Sequence, residues 1–246
     1  MPLVSVIIPY FNKKSSIKDT VNSVLNQTFK NLEIIIIYDD ENLSDYDYLM
    51  GEFKNKKNIK IFKNIKNIGA GLSRNIGIKK SNGEIIAFLD SDDLWLPNKL
   101  EDQLNFMIKH NYDFTFSNYE KKMLNGNTIK AETQKEFDYN NLLKSCDIGL
   151  STVMLNKKII KENLFPNLVT KEDYVAWLSI TRNNVKAYNV EKNLVIWKQV
   201  KKSLSSNFLQ KIFDGFRVYY IYEKFNLIKS IFLLIRLSLN SLKRKF

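Results

Sequence analysis

The sequence contains one cysteine and one histidine among its 246 residues. Because Cys146 has no second cysteine to pair with, the chain has neither an internal disulfide nor a cysteine-based zinc site. The single His110 excludes two-histidine metal sites, and it excludes a Ser-His-Asp triad unless that triad uses His110 itself. Four prolines and eight glycines are too few for linkers or low-complexity segments. The lone thiol is typical of a protein in a reducing, cytosolic compartment.

Long apolar runs are also missing. The most apolar tail stretch, 230–236, falls between Lys229 and Arg236 and is far shorter than the roughly 20 residues that a membrane-spanning helix needs. The N-terminus has no basic region and no small-residue cleavage site, so we do not expect a signal peptide. Six apolar residues share one face of a predicted C-terminal helix: Leu227, Ile228, Ile231, Leu234, Ile235 and Leu242. This face predicts contact with an anionic membrane, and its packing against the rest of the protein is the alternative.

Acidic residues are scarce only in the tail. The formal net charge is +12, and residues 192–246 hold twelve lysines and arginines but two acids, so the rest of the chain is nearly neutral. A basic tail suits an anionic lipid surface, where each basic residue contributes roughly 1 kcal/mol. It also suits a nucleic acid, whose binding would weaken steeply with salt.

The chain alternates between short apolar runs and segments with helical spacing. The runs at 3–9, 32–38, 59–62 and 84–89 predict buried strands, and helices are expected at 15–27, 44–54, 70–81 and 97–109. Farther along, the pattern predicts strands at 112–117, 122–129, 185–190 and 194–197, a strand beginning at Ser151 and Thr152, and helices at 172–181 and 207–242. Asn125 and Gly126 form a hairpin-turn signal. Alternating strands and helices predict an α/β protein with a mostly parallel sheet covered on both faces.

Polar residues follow three of the first four predicted strands. These groups are Pro9 to Asn12, Asp39 with Asp40, and Asp90 to Asp93. Ligands of such sheets gather beyond the carboxyl ends of the strands, so we expect the site at this edge.

Asp90 and Asp92 are alternate residues at the end of a very apolar strand, and they could point into one cleft. Two hard oxygen ligands with little other protein coordination suit Mg²⁺ or Mn²⁺ holding a diphosphate. The alternative is a helix-capping cluster before Pro97, because aspartate favours helix N-termini.

Four segments, in their order and spacing, resemble the family 2 inverting glycosyltransferases: VSVIIPYFN, EIIIIYDD, NIGAGLSRNIGIKKSNGEIIAFLDSDDLW and KEDYVAW. The resemblance covers residues 3–96 closely and resumes over 150–197. It implies the GT-A fold, a mostly parallel Rossmann-like α/β sheet flanked by helices, with a C-terminal helical extension. The implied domain spans 1–200, with a nucleotide-binding half at 1–96 and an acceptor half at 97–200, and basic amphipathic helices follow at 201–246.

The resemblance also implies a site for a UDP-linked sugar. Seven residues are expected to bind the donor nucleotide: Pro9, Tyr10, Asn12, Asp39, Asn67, Arg74 and Asp90. Pro9, Tyr10 and Asn12 would line the base pocket, Asp39 would accept a hydrogen bond from the uracil imide, and Asp90 would contact the ribose. Arg74 would approach the base or the diphosphate.

The remaining implied roles concern the chemistry. Asp92 would bind the divalent metal, Mn²⁺ or Mg²⁺, and Asp173 would be the general base. Four residues would surround the acceptor side: Asp93, Trp95, Glu172 and Trp177. Lys201 or Lys202 would belong to a loop over the donor diphosphate.

Together these features predict an inverting glycosyltransferase, cytoplasmic and peripheral on the inner face of the cytoplasmic membrane. It would transfer a sugar to a glycan acceptor, expected to be linked to lipid in a bacterial surface polysaccharide pathway, without a nucleic-acid partner. Two alternatives are a nucleic-acid-binding protein that uses the basic tail and a catalytically silent partner subunit. The chain departs from the family pattern after the second strand, where YDDENLSD replaces VDDGSTD, and the contacts of residues 40–45 are therefore open. His110 is expected to be a surface residue.

Overall fold

The computed structural model describes residues 1–199 and 207–243. Its first four strands are parallel and lie in the spatial order β3-β2-β1-β4. Their bounds are β1 (Val4–Tyr10), β2 (Leu32–Tyr38), β3 (Ile59–Lys63) and β4 (Ile85–Phe88). All residues of β1, β2 and β4 are buried, which explains why their sequences are continuous apolar runs rather than alternating ones.

The second half of the chain extends the same sheet with mixed pairing. Its strands are β5 (Leu94–Trp95), β6 (Phe114–Lys122), β7 (Thr128–Ala131), β8 (Glu136–Phe137), β9 (Met154–Asn156) and β10 (Ala187–Lys198). The order continues from β4 through β9, β6 and β10 to β5, while β7 pairs with β6 and β8 with β10. Among the described strands of this second half, only β6 and β10 pair in parallel, so the ten strands form a mixed α/β sheet whose first four strands are parallel.

Three details of the second half differ from the sequence prediction. The segment predicted as a strand at 122–129 is instead the last residue of β6, a turn and the start of β7. The strands predicted at 185–190 and 194–197 are one strand, β10, whose register with β6 shifts between Asn189 and Val195. Ser151 and Thr152 do not begin a strand but lie in a 3-10 turn, Leu150–Thr152, before β9. The predicted hairpin is confirmed, since β6 and β7 pair antiparallel around the turn at Asn125 and Gly126.

Helices cover both faces of the sheet. Their bounds are α1 (Lys14–Leu25), α2 (Leu43–Phe53), α3 (Ala70–Lys80), α4 (Lys99–His110), α5 (Tyr139–Leu142), α6 (Glu172–Thr181), α7 (Phe208–Arg217) and α8 (Leu227–Lys243). Apolar residues of α1, α2 and α4 pack in one core cluster with the β1 side chains of Val6 and Ile8. Those of α3, α5, α6 and α8 pack in a second cluster with Ile7 and Phe88. The sheet therefore lies between two apolar cores, one on each of its faces.

The C-terminal helices pack on the second core. In α8, Ser230, Leu233 and Leu237 are buried, and the Asn240 side chain donates a hydrogen bond to the Lys144 carbonyl at 2.7 Å. A different face stays exposed, formed by Leu227, Ile228, Ile231, Phe232, Ile235 and Leu239. Helix α8 thus packs against the protein by one face and leaves most of the predicted apolar face uncovered. Within the part of the chain described, no helix is both long and apolar enough to cross a membrane.

Candidate active site

The carboxyl ends of β1, β2 and β4 lie side by side, as their adjacency in the sheet requires. Asp39 follows β2 and is buried. Its Oδ1 accepts hydrogen bonds from the Asn64 side chain (2.8 Å) and the Ile68 N–H (2.9 Å), and its Oδ2 accepts one from the Gly69 N–H (2.8 Å). The Asn67 side chain donates to the Asp39 carbonyl at 2.8 Å. An ionised carboxylate has about four acceptor positions, so Asp39 keeps one for a further donor.

Of the three residues expected to line the base pocket at the end of β1, two are buried and one is exposed. Pro9 and Tyr10 are buried, and the Tyr10 hydroxyl donates to Asp45 Oδ2 at 2.7 Å. Asn12 is exposed with a positive φ of 48°, and its N–H donates to Asp40 Oδ2 at 2.9 Å. The divergent segment after β2 therefore lies against the end of β1, because Asp40 accepts a hydrogen bond from Asn12 and Asp45 accepts one from Tyr10.

Arg74, on α3, joins the segment after β4 to the start of α6. Its Nη2 donates to Asp90 Oδ1 at 2.7 Å and its Nη1 to Glu172 Oε1 at 2.8 Å. The side chain is only 4% exposed. Burial alone would lower the pKa of Arg74, but the carboxylates of Asp90 and Glu172 raise it. Gly71 makes this approach possible, since a Cβ there would lie 3.1 Å from Glu172 Cγ and 2.9 Å from the Pro166 carbonyl oxygen.

Asp92 is paired with a cation supplied by the chain itself. The Lys13 ammonium lies 2.6 Å from Asp92 Oδ2, and both side chains are partly exposed. In residues 1–199 and 207–243, no group of three or more His, Cys, Asp or Glu side chains could hold a metal ion alone. A Mg²⁺- or Mn²⁺-type site needs only one or two carboxylates when substrate phosphates complete the shell. Asp92, an accessible hard oxygen ligand already facing a cation, fits that requirement.

Asp93 and Trp95 are buried and hold the loop after β4 in place. Ser151 Oγ donates to Asp93 Oδ2 at 2.5 Å and accepts a hydrogen bond from the Asp90 N–H at 3.1 Å. Trp95 Nε1 donates to the Ser151 carbonyl at 2.8 Å. Burial raises the pKa of Asp93 well above its ordinary value, and the nearby charge of Asp90 adds to this. Both predicted acceptor-side residues therefore act on the site through Ser151 and not at its surface.

Asp173 lies in the first turn of α6, where the positive end of the helix dipole favours an acidic residue. Burial raises its pKa. The charges of Lys171 and Arg74 oppose this rise, and that of Asp90 adds to it. The neighbouring Glu172 also has a raised pKa, because burial outweighs the stabilising charge of Arg74. Asp173 thus shares one electrostatic cluster with the residues that follow β4.

Three predicted positions lie elsewhere or outside the described structure. Trp177 is 1% exposed and packs against Phe88 and Phe114, at ring-centroid distances of 6.1 and 5.3 Å. It therefore supports α6 from the core and does not line a cleft. Lys201 and Lys202 lie outside the described residues.

Three residues of the site were missed by sequence analysis in these roles. Lys13 faces Asp92 from 79 positions away, Ser151 bridges the loop after β4, and Lys171 acts on Asp173. Lys13 has no sequence signal, being one of two lysines in a polar turn. Lys171 had a weak one, since it begins the KEDYVAW segment.

A family model described as glycosyl transferase family 2 matches residues 5–165. A UDP-Glc:alpha-D-GlcNAc-diphosphoundecaprenol beta-1,3-glucosyltransferase, WfgD of Escherichia coli, is 39% identical over 208 residues, which are 83% of this chain and 80% of that protein. The putative teichuronic acid biosynthesis glycosyltransferase TuaG of Bacillus subtilis is 32% identical over 246 residues, 99% of this chain and 98% of that protein.

Solved structures share the fold at lower identity. The crystal structure of S. aureus TarS 1-349 in complex with UDP-GlcNAc matches with a TM-score of 0.73 and 22% identity, over 94% of this chain and 70% of that one. The mannosyltransferase PcManGT from Pyrobaculum calidifontis, in complex with GDP-Man and Mn²⁺, matches with a TM-score of 0.67 and 14% identity, over 92% and 65% of the two chains. The mixed α/β sheet with its flanking helices is therefore the GT-A fold.

Proposed function

The chain belongs to glycosyl transferase family 2 and is a glycosyltransferase, and from this premise we propose that it transfers a sugar from a UDP-sugar to a lipid-linked glycan with inversion. Similarity to a named relative and to a solved complex supports this choice of substrates. WfgD is named for UDP-Glc and for an acceptor on diphosphoundecaprenol, and a TarS structure holds UDP-GlcNAc. The pathway would be assembly of a bacterial surface polysaccharide, as the name of TuaG also suggests for that protein.

One observation carries the proposal: Arg74 bonds Asp90 and Glu172 at once, at 2.7 and 2.8 Å. Asp90 belongs to the segment that would bind the donor, and Glu172 is adjacent to the proposed base. The two segments are 82 residues apart in sequence, so a shared buried arginine supports a single site between donor and acceptor. A buried charge is costly unless it is paired, which makes this arrangement specific.

The reaction we infer is a single displacement. The acceptor oxygen forms a bond to the anomeric carbon while the bond from that carbon to the β-phosphate oxygen breaks, and its electron pair leaves with UDP. The Asp173 carboxylate takes the proton of the acceptor hydroxyl, and its raised pKa suits a general base. A divalent cation held by Asp92 and the donor diphosphate would offset the charge that develops on UDP.

Donor recognition would use the ends of β1 and β2. The one acceptor position left on Asp39 suits the uracil imide N–H, which is a donor. Asn12 is exposed beside it, whereas Pro9, Tyr10 and Asn67 would shape the base pocket by fixing the backbone. Asp90 is 37% exposed and would reach the ribose.

We also propose that the protein lies on the membrane by its C-terminal helices. Phe208, Leu209 and Phe213 of α7 are exposed, as is the apolar face of α8. Lys229 and Arg236 accompany that face, and an apolar strip with basic residues suits an anionic lipid surface. The protein would bind a lipid-linked acceptor at the same surface.

A donor screen followed by turnover tests this function. Thermal shifts would be measured with UDP-glucose, UDP-GlcNAc and GDP-mannose, with and without Mn²⁺, and the best donor would then be incubated with GlcNAc-diphosphate-lipid. We expect a UDP-sugar to stabilise the fold with Mn²⁺ and to yield a product of opposite anomeric configuration by NMR. Retained configuration, or donor binding with no transfer, would contradict the proposal.

A further inference from the structure

A cavity of about 410 Å³ lies on the acceptor side of the fold. Its walls come from four parts of the chain: the end of β6 with β7 and the residues after it, the segment 145–147, Lys171 before α6, and α8. None of the residues expected to bind the donor nucleotide lines it. Its volume falls in the range of small-molecule sites, roughly 300–1,000 Å³.

The cavity wall mixes hydrogen-bond donors and acceptors in near balance. Lys130 and Lys171 supply positive charge and Glu132 and Asp147 negative charge, while Thr133 and Asn240 add a hydroxyl and an amide. A site for a free anion would have an excess of cations. Balanced polar groups suit a neutral ligand with many hydroxyl groups, each of which both donates and accepts.

Lys171 connects this cavity to the proposed base. Its backbone is left-handed, with φ at 68°, a conformation that costs energy in a residue other than glycine. The pKa of Lys171 is raised, because Cys146, then Asp173 and Glu172, stabilise its charge against burial. Lys171 lines the cavity together with Cys146 and stands two residues before Asp173, so the cavity wall and the proposed base share one short segment of the chain.

Helix α8 links the cavity to the exposed apolar face. Leu237, Asn240 and Ser241 form its wall on one side of the helix, while Ile235 and Leu239 are exposed on another. We propose, on the basis of the function proposed above, that this cavity binds the acceptor saccharide of a lipid-linked glycan. The lipid would extend past α8 toward the membrane.

Two bulky substitutions from opposite walls test the assignment. Ala131→Trp on β7 and Ser241→Trp on α8 would each fill the cavity, and both positions are at least partly exposed, so the fold should tolerate them. Ile129→Trp and Ser238→Trp are matched controls on the same two elements at exposed positions outside the cavity wall and outside the apolar face of α8. Binding of GlcNAc-diphosphate-undecyl lipid to each full-length protein would be measured by calorimetry in detergent, beside binding of UDP with Mn²⁺.

We expect both cavity variants to bind the acceptor lipid about tenfold more weakly, about 1.4 kcal/mol, and both controls to bind it as the wild type does. UDP affinity should stay unchanged in all four. Equal acceptor binding in cavity and control variants, or no binding by the wild type, would overturn the inference. A wild-type protein that binds no UDP, or that transfers no sugar, would instead contradict the proposed function.

Discussion

At the residue scale, the charges around Asp173 predict how the enzyme responds to pH. Burial raises the pKa of Asp173 and the charge of Asp90 adds to this rise, while Lys171 and Arg74 stabilise the ionised carboxylate and oppose it. The net effect is a raised pKa, so a base that must be ionised loses activity as pH falls through a value above about 4. We expect the acidic limb of the kcat profile to lie above the ordinary range of aspartate.

Lys171→Met separates this effect from simple burial. Removing the positive charge leaves the Asp173 carboxylate less stabilised, so its pKa should rise and the acidic limb should move to higher pH. The measurement is kcat against pH at saturating acceptor for wild type and variant. A limb that stays in place, or that moves to lower pH, would show that Asp173 is not the titrating group.

The ion pair between Lys13 and Asp92 is expected to weaken the binding of a metal ion by Asp92. Because the ammonium lies 2.6 Å from Asp92 Oδ2, a divalent cation must displace it. Lys13→Met should therefore tighten Mn²⁺ binding in the absence of nucleotide by up to about fivefold, the equivalent of about 1 kcal/mol. Electron paramagnetic resonance of free Mn²⁺ measures this without any turnover.

Lys14→Met is the matched control for that measurement. Lys14 is the next residue along the chain, but it pairs with Asp45 at 3.4 Å. The Lys14→Met substitution removes the same charge without altering the contacts of Asp92, so Mn²⁺ affinity should stay nearly unchanged. Equal shifts in both variants would mean a general charge effect.

How much of the site could be predicted depends on where each partner lies in the sequence. Asp90, Asp92 and Asp173 stand in motifs with neighbours that identify them. Lys13 and Ser151 meet the same loop across 79 and 61 positions, and only tertiary packing decides such contacts. Trp177 stands beside the motif yet faces the core, because position in a motif does not fix the direction of a side chain.

At the element scale, α3 carries Arg74 and rests directly on β1 through Gly77. A Cβ at Gly77 would lie 2.4 Å from Ile7 Cγ2, and Ile7 is fully buried in the core. Gly77→Ala should therefore destabilise the protein by about 1–3 kcal/mol from overpacking, more than alanine's helix preference of about 1 kcal/mol returns. Urea unfolding measures the difference.

Two further variants make the Gly77 prediction specific. Gly51→Ala, in α2, meets nothing within 4 Å and should be neutral or stabilising. Adding Ile7→Ala to Gly77→Ala removes the opposing Cγ2, so the double variant should be less destabilised than the sum of the two single ones. Additive free energies would show that the contact is not the cause.

Elements were predictable where one interaction dominates. Strands buried on both faces are identified by their continuous apolar runs, and β2 has the predicted bounds, 32–38. The 3-10 turn at 150–152 was missed because its residues, Leu-Ser-Thr, suit a strand equally well. The Ser151 hydroxyl is committed to hydrogen bonds with Asp90 and Asp93, and the Thr152 hydroxyl donates to the Gly149 carbonyl. The packed face of α8 was mispredicted because Ser230 and Asn240, which are polar, face the protein.

At the scale of the whole molecule, the uncovered apolar surface of α7 and α8 predicts lipid binding. Ile231→Glu with Ile235→Glu places two negative charges in the exposed face of α8. Retention on vesicles that contain anionic lipid should fall strongly in flotation assays, because both apolar burial and attraction to the lipid are lost. Binding should also weaken with salt.

Exposed isoleucines far from the tail provide the control. Ile65 and Ile108 are 104% and 58% exposed, so Ile65→Glu with Ile108→Glu changes the charge equally without altering α8. This variant should be retained as the wild type is. If the α8 variant were retained equally well, the tail would not be the membrane-binding surface.

The overall architecture was predictable because strand and helix alternation leaves few arrangements, and the parallel half follows from it. The strand pairing of the mixed half could not be predicted, because β5, β8 and β9 are each two or three residues long and have no periodicity to detect.

In the proposed mechanism Asp173 acts in sugar transfer and Asp92 in metal-dependent donor binding. One paired measurement tests whether the two roles are separate. For Asp173→Asn, transfer should fall by about 10²–10⁴-fold, while calorimetry finds UDP-sugar affinity with Mn²⁺ unchanged. For Asp92→Asn, that metal-dependent affinity should itself be lost. An Asp173→Asn enzyme that transfers sugar near the wild-type rate, with donor binding intact, would contradict the account.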